Sequence, residues 1–299
     1  MTLVVLAAGM GSRYKGLKQI DPVSRAGEFI IDFSVYDAIK YGYSRVVFII
    51  KRELYDVFRE TIGRRLEKYI EVRYVFQEKQ FLDGIDIPAE RCKPFGTAHA
   101  LLSCLGVVNE PFTVINADDF YGASAYQCVS EYLKNNPYDG KCHFCMAGYQ
   151  LSNTLSESGH VSRGECFSDR HDYLTGIIER VKICRDGDTA RYQDGEEWKP
   201  ISKDATVSMN FFGFTPEILE YIRDGFLRFI RDPKTDLKNA EYYLPHAATQ
   251  MLQDGLCDIK LLRTDAKWYG VTYPDDKARV VAAIENMISS GVYPDGLWK

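Results

Sequence analysis

Apolar and polar positions follow two rhythms along this chain, and the change between them divides it. In the first half, runs that are apolar at nearly every position alternate with stretches carrying apolar residues every three or four positions. Thr2 to Leu6, Arg45 to Ile50, Glu71 to Gln77 and Phe112 to Phe120 read as strands, and Glu28 to Ile39, Leu54 to Tyr69 and Ser124 to Asn135 as helices. Phe29, Ile30, Phe33, Tyr36 and Ile39 recur at helical spacing, and Gly42 closes that helix. The near-continuous apolar character of Arg45 to Ile50 is that of a parallel strand buried on both faces. Strand and helix in alternation predict a right-handed parallel α/β sheet.

In the second half the strands Lys141 to Leu151, Gly176 to Cys184 and Thr206 to Phe214 are separated by loops, which predicts a mixed or antiparallel extension. Asp186 to Asp204, rich in Asp, Gly, Glu and Lys, reads as a surface loop or short hairpin. Pro216 to Ile230 is an amphipathic helix opened by Thr215-Pro216, and Glu241 to Asp254 is another. Asp258 to Arg263 is a strand, and Asp275 to Ser290 a last helix capped by Gly291. With no internal repeat and no linker, the expectation is a single α/β domain over 1–299. Its architecture is a Rossmann-like mixed, mainly parallel sheet flanked by helices, with halves near 1–140 and 141–299.

Charge and cysteine content narrow the partners. A net charge of −5 and a pI near 5.7 argue against a protein that coats nucleic acid, which needs a broad basic face. No run of about twenty apolar residues is present, so no membrane partner is expected. The chain opens directly on a strand with no leader ahead of it, so a reducing cytoplasm and free thiols are expected for its eight cysteines. Cys142 and Cys145 look like half a zinc site, but strand alternation sends them to opposite faces, which favours ordinary buried thiols.

The densest chemistry follows the first strand. Ala7-Ala8-Gly9-Met10-Gly11-Ser12-Arg13 runs on to Lys15, Gly16, Leu17 and Lys18. Glycines let backbone N–H groups approach phosphate oxygens, and the cations supply counter-charge. A dinucleotide fingerprint is a poor match, because Tyr14 stands at the third glycine. A P-loop has the Gly11 to Gly16 spacing, but its lysine is displaced and its magnesium-binding hydroxyl is missing. A second glycine-containing turn, Pro94-Phe95-Gly96-Thr97, opens a helix whose start offers free N–H groups. The strand from Phe112 then ends in Asn116-Ala117-Asp118-Asp119. Ligands of open parallel sheets sit at the carboxyl ends of strands, so these three stretches should converge.

Leu6-Ala7-Ala8-Gly9-Met10-Gly11-Ser12-Arg13 followed by Leu17-Lys18-Gln19 closely resembles the signature of the sugar-phosphate nucleotidyltransferases. Pro94 to Ala100 resembles that family's base-side motif, and Asn116 to Asp119 its metal-binding acid at a strand end. The resemblance extends more loosely through Glu179-Arg180, Met209-Asn210 and Trp268 to Thr272. It implies a glycosyltransferase-A-like nucleotidyltransferase fold and transfer of a nucleotidyl group from an NTP to a sugar 1-phosphate, giving a nucleoside-diphosphate sugar and pyrophosphate. Of the catalytic residues it implies, Arg13 neutralises the triphosphate and leaving pyrophosphate, and Lys18 the α-phosphate and attacking phosphate. Asp118 holds Mg²⁺. Leu6, Ala7, Ala8, Gly9, Gly11, Gln77, Gly96 and Thr97 hold the NTP, with UTP or CTP the first expected, while Glu179 and Asn210 hold the sugar phosphate. The first half would carry the nucleotide and the second the sugar phosphate.

This chain departs from the family pattern in two places. Gly270 stands where many relatives carry a second metal-binding aspartate, so that either metal binding relies on Asp118 and the phosphates or another acid such as Asp119 or Asp275 compensates, and Arg180 replaces a lysine that often follows the glutamate. Alternatives from other classes are a non-catalytic nucleotide-sugar-binding regulator on the same fold and a glycosyltransferase, although Asp118-Asp119 lacks the spacer of an Asp-x-Asp triplet. Cytidylyl or uridylyl transfer to a non-sugar phosphate such as phosphocholine is a variant of the first reading. The base, the sugar and the oligomeric state are not specified by these residues.

Overall fold

We describe the computed structural model over residues 1–9, 22–78, 81–82, 84–137, 139–157, 159–271 and 276–299. Gly11, Arg13, Lys18 and Asp275 lie outside the described residues.

The chain runs β1 (Thr2–Leu6), α1 (Ile30–Lys40), β2 (Arg45–Ile50), α2 (Tyr55–Phe58), α3 (Arg64–Leu66), β3 (Glu71–Phe76), α4 (Thr97–Leu101), β4 (Phe112–Asn116), β5 (Asp119–Phe120) and α5 (Ala123–Lys134). It continues as β6 (Cys142–Gln150), β7 (Val161–Ser168), β8 (Leu174–Asp186), β9 (Thr189–Asp194), β10 (Glu197–Ile201), β11 (Thr206–Phe214), α6 (Glu217–Arg231), α7 (Leu244–Gln253), β12 (Cys257–Thr264), β13 (Tyr269–Gly270) and α8 (Asp276–Ser289). The single helix expected over Leu54 to Tyr69 is instead interrupted. A π-helical turn at Arg59–Gly63 separates α2 from α3, and a side chain at Gly63 would collide with the Tyr74 hydroxyl.

The four parallel strands β3, β2, β1 and β4 form one half of an eleven-stranded sheet, and β11 joins β4 antiparallel. Beyond it β7, β8, β9 and β10 continue antiparallel, while β6 pairs β11 and carries β12 in parallel. The stretch from Asp186 to Asp204 is thus a hairpin, β9 and β10. The strand β7 had no clear alternation in Val161-Ser162-Arg163-Gly164-Glu165 and adds to the expected set.

Residues on the two faces of the central strands enter different cores, which explains their unbroken apolar runs. Val46, Phe48 and Ile50 pack with Val35 and Ala38 of α1 and Tyr126 and Val129 of α5. Val47 and Ile49 face the other way, toward Leu101, Ile218, Ile222, Phe226 and Ala247 on α4, α6 and α7. A third cluster, Phe33, Phe120, Val280, Ile284 and Tyr293, fastens α8 to α1. Cys145 lies in the first core and Cys142 against the second, so the strand does separate them. All eight cysteines are free thiols, and among the described residues no helix is long and apolar enough to cross a membrane.

One buried acid in this frame makes stability depend on pH. Asp37 Oδ2 accepts the Tyr293 hydroxyl at 2.7 Å, and its Oδ1 has no partner among the described residues. Burial pushes this carboxyl up to about 7. The folded chain therefore binds the proton more tightly than the unfolded chain. The stability it contributes is complete below about pH 4 and is lost as pH rises to about 7, a change of roughly 4 kcal/mol. Asp37→Asn should flatten that decline, which thermal unfolding between pH 4 and 8 would show; a slope equal to wild type contradicts the assignment.

Candidate functional site

Two cavities meet at the carboxyl end of β4, where the parallel half of the sheet gives way to the antiparallel half. The first, about 290 Å³, is lined by Leu6, Ala8, Gly9, Gln77, Gly96 and Thr97, among others. The second, about 280 Å³, holds Glu179 and Asn210 together with Arg163 and Trp268. Asn116 and Asp118 line both, so they form the shared wall. The three stretches converge here. Ala7 lies beneath the first cavity, with its side chain in the core and its N–H donated to the Ile49 carbonyl at 2.9 Å.

The turn at Gly96 is shaped by the chain that crosses it. Tyr242 N–H donates to the Phe95 carbonyl at 2.8 Å, Ala98 N–H donates to the Tyr242 carbonyl at 3.0 Å, and Leu244 N–H donates to Thr97 Oγ1 at 2.9 Å. The expected free N–H at Ala98 is therefore occupied, because α7 arrives beside α4 and satisfies it. Gly96 has φ +98 and ψ 179, a region open essentially to glycine alone, and a Cβ there would sit 2.6 Å from the Tyr242 carbonyl oxygen. His99 is buried between Phe95 and Phe226, with ring centroids 5.7 and 4.6 Å away, which gives it a packing role.

At the shared wall the strand expected to run to Phe120 stops at Asn116, turns through Ala117-Asp118 and resumes as β5. Asp118 is half-buried and has no hydrogen-bond or ion-pair partner among the described residues. Asp119 is buried; its Oδ2 accepts Asn116 Nδ2 at 2.8 Å and lies 3.2 Å from the Tyr121 hydroxyl. Burial, and after it the charge of Asp118, pushes the Asp119 carboxyl up to about 7.

Gly270 pairs with Asp119 across the β5–β13 ladder. A Cβ at Gly270 would meet the Trp268 ring at 2.3 Å and Asp119 Oδ1 at 2.9 Å. The space where the family pattern places an aspartate is thus filled by the indole and by the Asp119 carboxylate. Among the described residues no cluster of three or more His, Cys, Asp or Glu could hold a metal ion. Asp118, with no hydrogen-bond or ion-pair partner among the described residues, offers the kind of free hard oxygen donor that a Mg²⁺–phosphate complex takes, whereas Asp119 is engaged by Asn116 and Tyr121.

The second cavity owes its shape to a bulge. β11 pairs β6 from Thr206 to Ser208 and again from Phe212 to Gly213, with a register shift between, and Asn210 takes φ +60 there. That irregularity brings Asn210 to the cavity wall. Glu179, on β8, keeps an exposed side chain at the cavity wall, and partial desolvation there raises its carboxyl, with the nearby Arg163 charge opposing. Arg180 is drawn away, donating through Nε to Glu165 Oε2 at 2.8 Å and lying over the Tyr192 ring at 4.6 Å. Arg163 and Trp268 were not singled out from the sequence; Arg163 falls on the unforeseen β7, and Trp268 carried no signal beyond its neighbours. Asn116 could have been found by the same strand-end argument that picked Asp118.

No protein-family model matches the sequence, and no curated protein matches it. Among solved structures, the chain is similar to an inositol-1-phosphate CTP transferase from T. maritima, with TM-score 0.62 and 15% identity over 96% of each chain. It is likewise similar to a UDP-glucose pyrophosphorylase solved in complex with UDP-glucose, with TM-score 0.61 and 16% identity over 95% of this chain and 98% of that one. Over nearly its whole length, this chain has the fold of those two nucleotidyltransferases.

Proposed function

We propose that the protein is a nucleotidyltransferase, joining the nucleoside monophosphate of an NTP to a phosphorylated acceptor, first of all a sugar 1-phosphate, with release of pyrophosphate. The observation that carries this reading is the pair of cavities sharing Asn116 and Asp118. One has a glycine-lined floor at the end of β1, suited to a nucleotide, and the other is a polar chamber suited to a hydroxyl-rich acceptor. The half near 1–140 supplies all of the first cavity's described lining but Glu241, and the half near 141–299 most of the second. An acceptor phosphate oxygen attacks the α-phosphorus, the bond from that phosphorus to the bridging oxygen breaks, and pyrophosphate leaves with the electron pair. Such a reaction asks the protein mainly for positioning and charge neutralisation.

In this reading the backbone around Ala8 and Gly9, with Gln77 and Gly96, seats the nucleotide, and Glu179 and Asn210 receive acceptor hydroxyls. Thr97 lines the nucleotide cavity while its hydroxyl accepts the Leu244 N–H. Arg13 and Lys18 provide cations to the triphosphate and acceptor phosphate. Asp118, with Asp119 beside it, would hold Mg²⁺, which when bound neutralises phosphate charge.

The test is a pyrophosphate-release screen of the four common NTPs against sugar 1-phosphates, inositol 1-phosphate and phosphocholine with Mg²⁺. Turnover with one pair is expected. Tight binding of a nucleotide sugar with no turnover by any pair would make the protein a nucleotide-sugar-binding regulator instead.

A further inference from the structure

Arg163 is 9% exposed, yet among the described residues no carboxylate lies within ion-pair distance of its guanidinium. Nη1 donates to the Ser162 carbonyl at 2.8 Å and Nη2 to the Thr154 carbonyl at 2.6 Å, and the group lies 4.6 Å from the centre of the Trp268 ring. Its Nε is buried with no partner among the described residues, as is the Trp268 Nε1. Arginines are almost never buried unless paired, and an unsatisfied donor on a buried cation is costly. Two neutral carbonyls hold this side chain in place without neutralising it.

The cavity that Arg163 lines is the acceptor chamber, where it is the one cation among the described lining residues. Arg180, the neighbour of Glu179, is committed to Glu165 on β7. Asp119 and Glu179 are near enough for their charges to act on Arg163, and Asp118 adds a third acid to the same walls. A phosphorylated acceptor entering this acidic chamber needs a fixed cation, and the reacting phosphate must come to the wall at Asp118.

We propose that Arg163 is the receptor for the acceptor's phosphate, held ready by Thr154, Ser162 and Trp268 so that the N–H groups of its terminal nitrogens not taken by the two carbonyls meet a phosphate oxygen. The assignment rests on the transfer reading for what the phosphate belongs to; the anion site itself can be tested without turnover.

Inorganic phosphate is titrated into the full chain while tryptophan emission is followed, since an anion on Arg163 perturbs the indole stacked against it, and Trp268→Phe assigns the signal to that ring. Saturable binding in wild type, weakened about 10- to 100-fold in Arg163→Gln, is the expected result, the range expected for losing a charge-assisted hydrogen bond. Equal affinity in Arg163→Gln, or no saturable Trp268 signal in wild type, overturns the proposal. Should Arg163→Gln fail to fold, Arg163→Lys decides. Lysine keeps the charge but cannot span both carbonyls and the anion, so weaker phosphate binding is expected and unchanged binding overturns the site. Glucuronate in place of phosphate separates the anion types, and tighter binding of glucuronate would give Arg163 to a carboxylate and overturn the phosphate assignment.

With a pair that turns over, Arg163→Gln should raise KM for the acceptor by a similar factor and leave KM for the NTP unchanged. A purely structural role would not split the two. An unchanged acceptor KM defeats the Arg163 assignment and leaves nucleotidyl transfer standing. Absence of turnover in wild type defeats the transfer reading while the phosphate titration still decides Arg163.

Discussion

Replacing Asp118 by asparagine is expected to lower turnover by about 10²–10³ while the melting temperature stays at or above that of wild type. Asp118 sits on the wall shared by both cavities, where charge on the α-phosphate and the leaving pyrophosphate must be met, and it has no hydrogen-bond or ion-pair partner among the described residues. Its removal therefore breaks no internal bond, and it relieves the repulsion felt by the buried Asp119. Steady-state kinetics with the best NTP and acceptor, alongside thermal unfolding, check both halves of the expectation. Activity within a few-fold of wild type would take Asp118 out of the transfer site.

Gly96→Ala should destabilise the fold by about 3 kcal/mol or more and abolish nucleotide binding in whatever fraction remains folded. At φ +98 and ψ 179 alanine is strained in any surroundings, and here its Cβ would also press on the Tyr242 backbone, 2.6 Å from the oxygen and 2.8 Å from the nitrogen. Neither atom can yield cheaply. The Tyr242 backbone bonds both Phe95 and Ala98, so a shift would open the crossing that joins the turn before α4 to the start of α7. Denaturant unfolding and nucleotide titration measure the two effects separately, and a loss below about 1 kcal/mol would show that the crossing is pliant.

How much of this was legible in the sequence depended on whether a residue's role is local. The strands β1, β2 and β4 announced themselves because each buries both faces, leaving few polar positions to blur the run. The convergence of Gly9 and Asp118 followed from their places at strand ends and that of Gly96 from its place at a helix start, and both cavities contain residues chosen in these ways. The broken helix was hidden because Gly63 is forced by Tyr74, eleven positions further on and across the packing interface. Arg163 was hidden for a related reason. Its strand is short of apolar residues on one face, and its meaning comes from partners at Thr154 and Trp268 that only the fold brings to it. Gly270 was seen as a departure, but the reason for it, an indole and a carboxylate already filling the space, lies in the ladder with β5. Arg13 and Lys18, the cations that most directly suggested phosphate chemistry, lie outside the described residues.

The bulge in β11 carries a consequence of parity. Between the pairs Ser208–Gly148 and Phe212–Met146, three residues of β11 stand against one of β6, an excess of two. Because side chains alternate with a period of two, an even excess leaves the facing of the strand unchanged. Val207, Met209 and Phe211 all enter the core beneath α1 and α5, and Phe212 and Phe214 the opposite one. Shortening β11 by one residue within Met209 to Phe211 would turn half of it inside out. Removing Asn210 with one neighbour would return a regular strand whose facing is unchanged and take Asn210 from the cavity wall, but it would also take Met209 or Phe211 out of the core beneath α1 and α5, so the amide at the acceptor chamber is tied to the packing of that core.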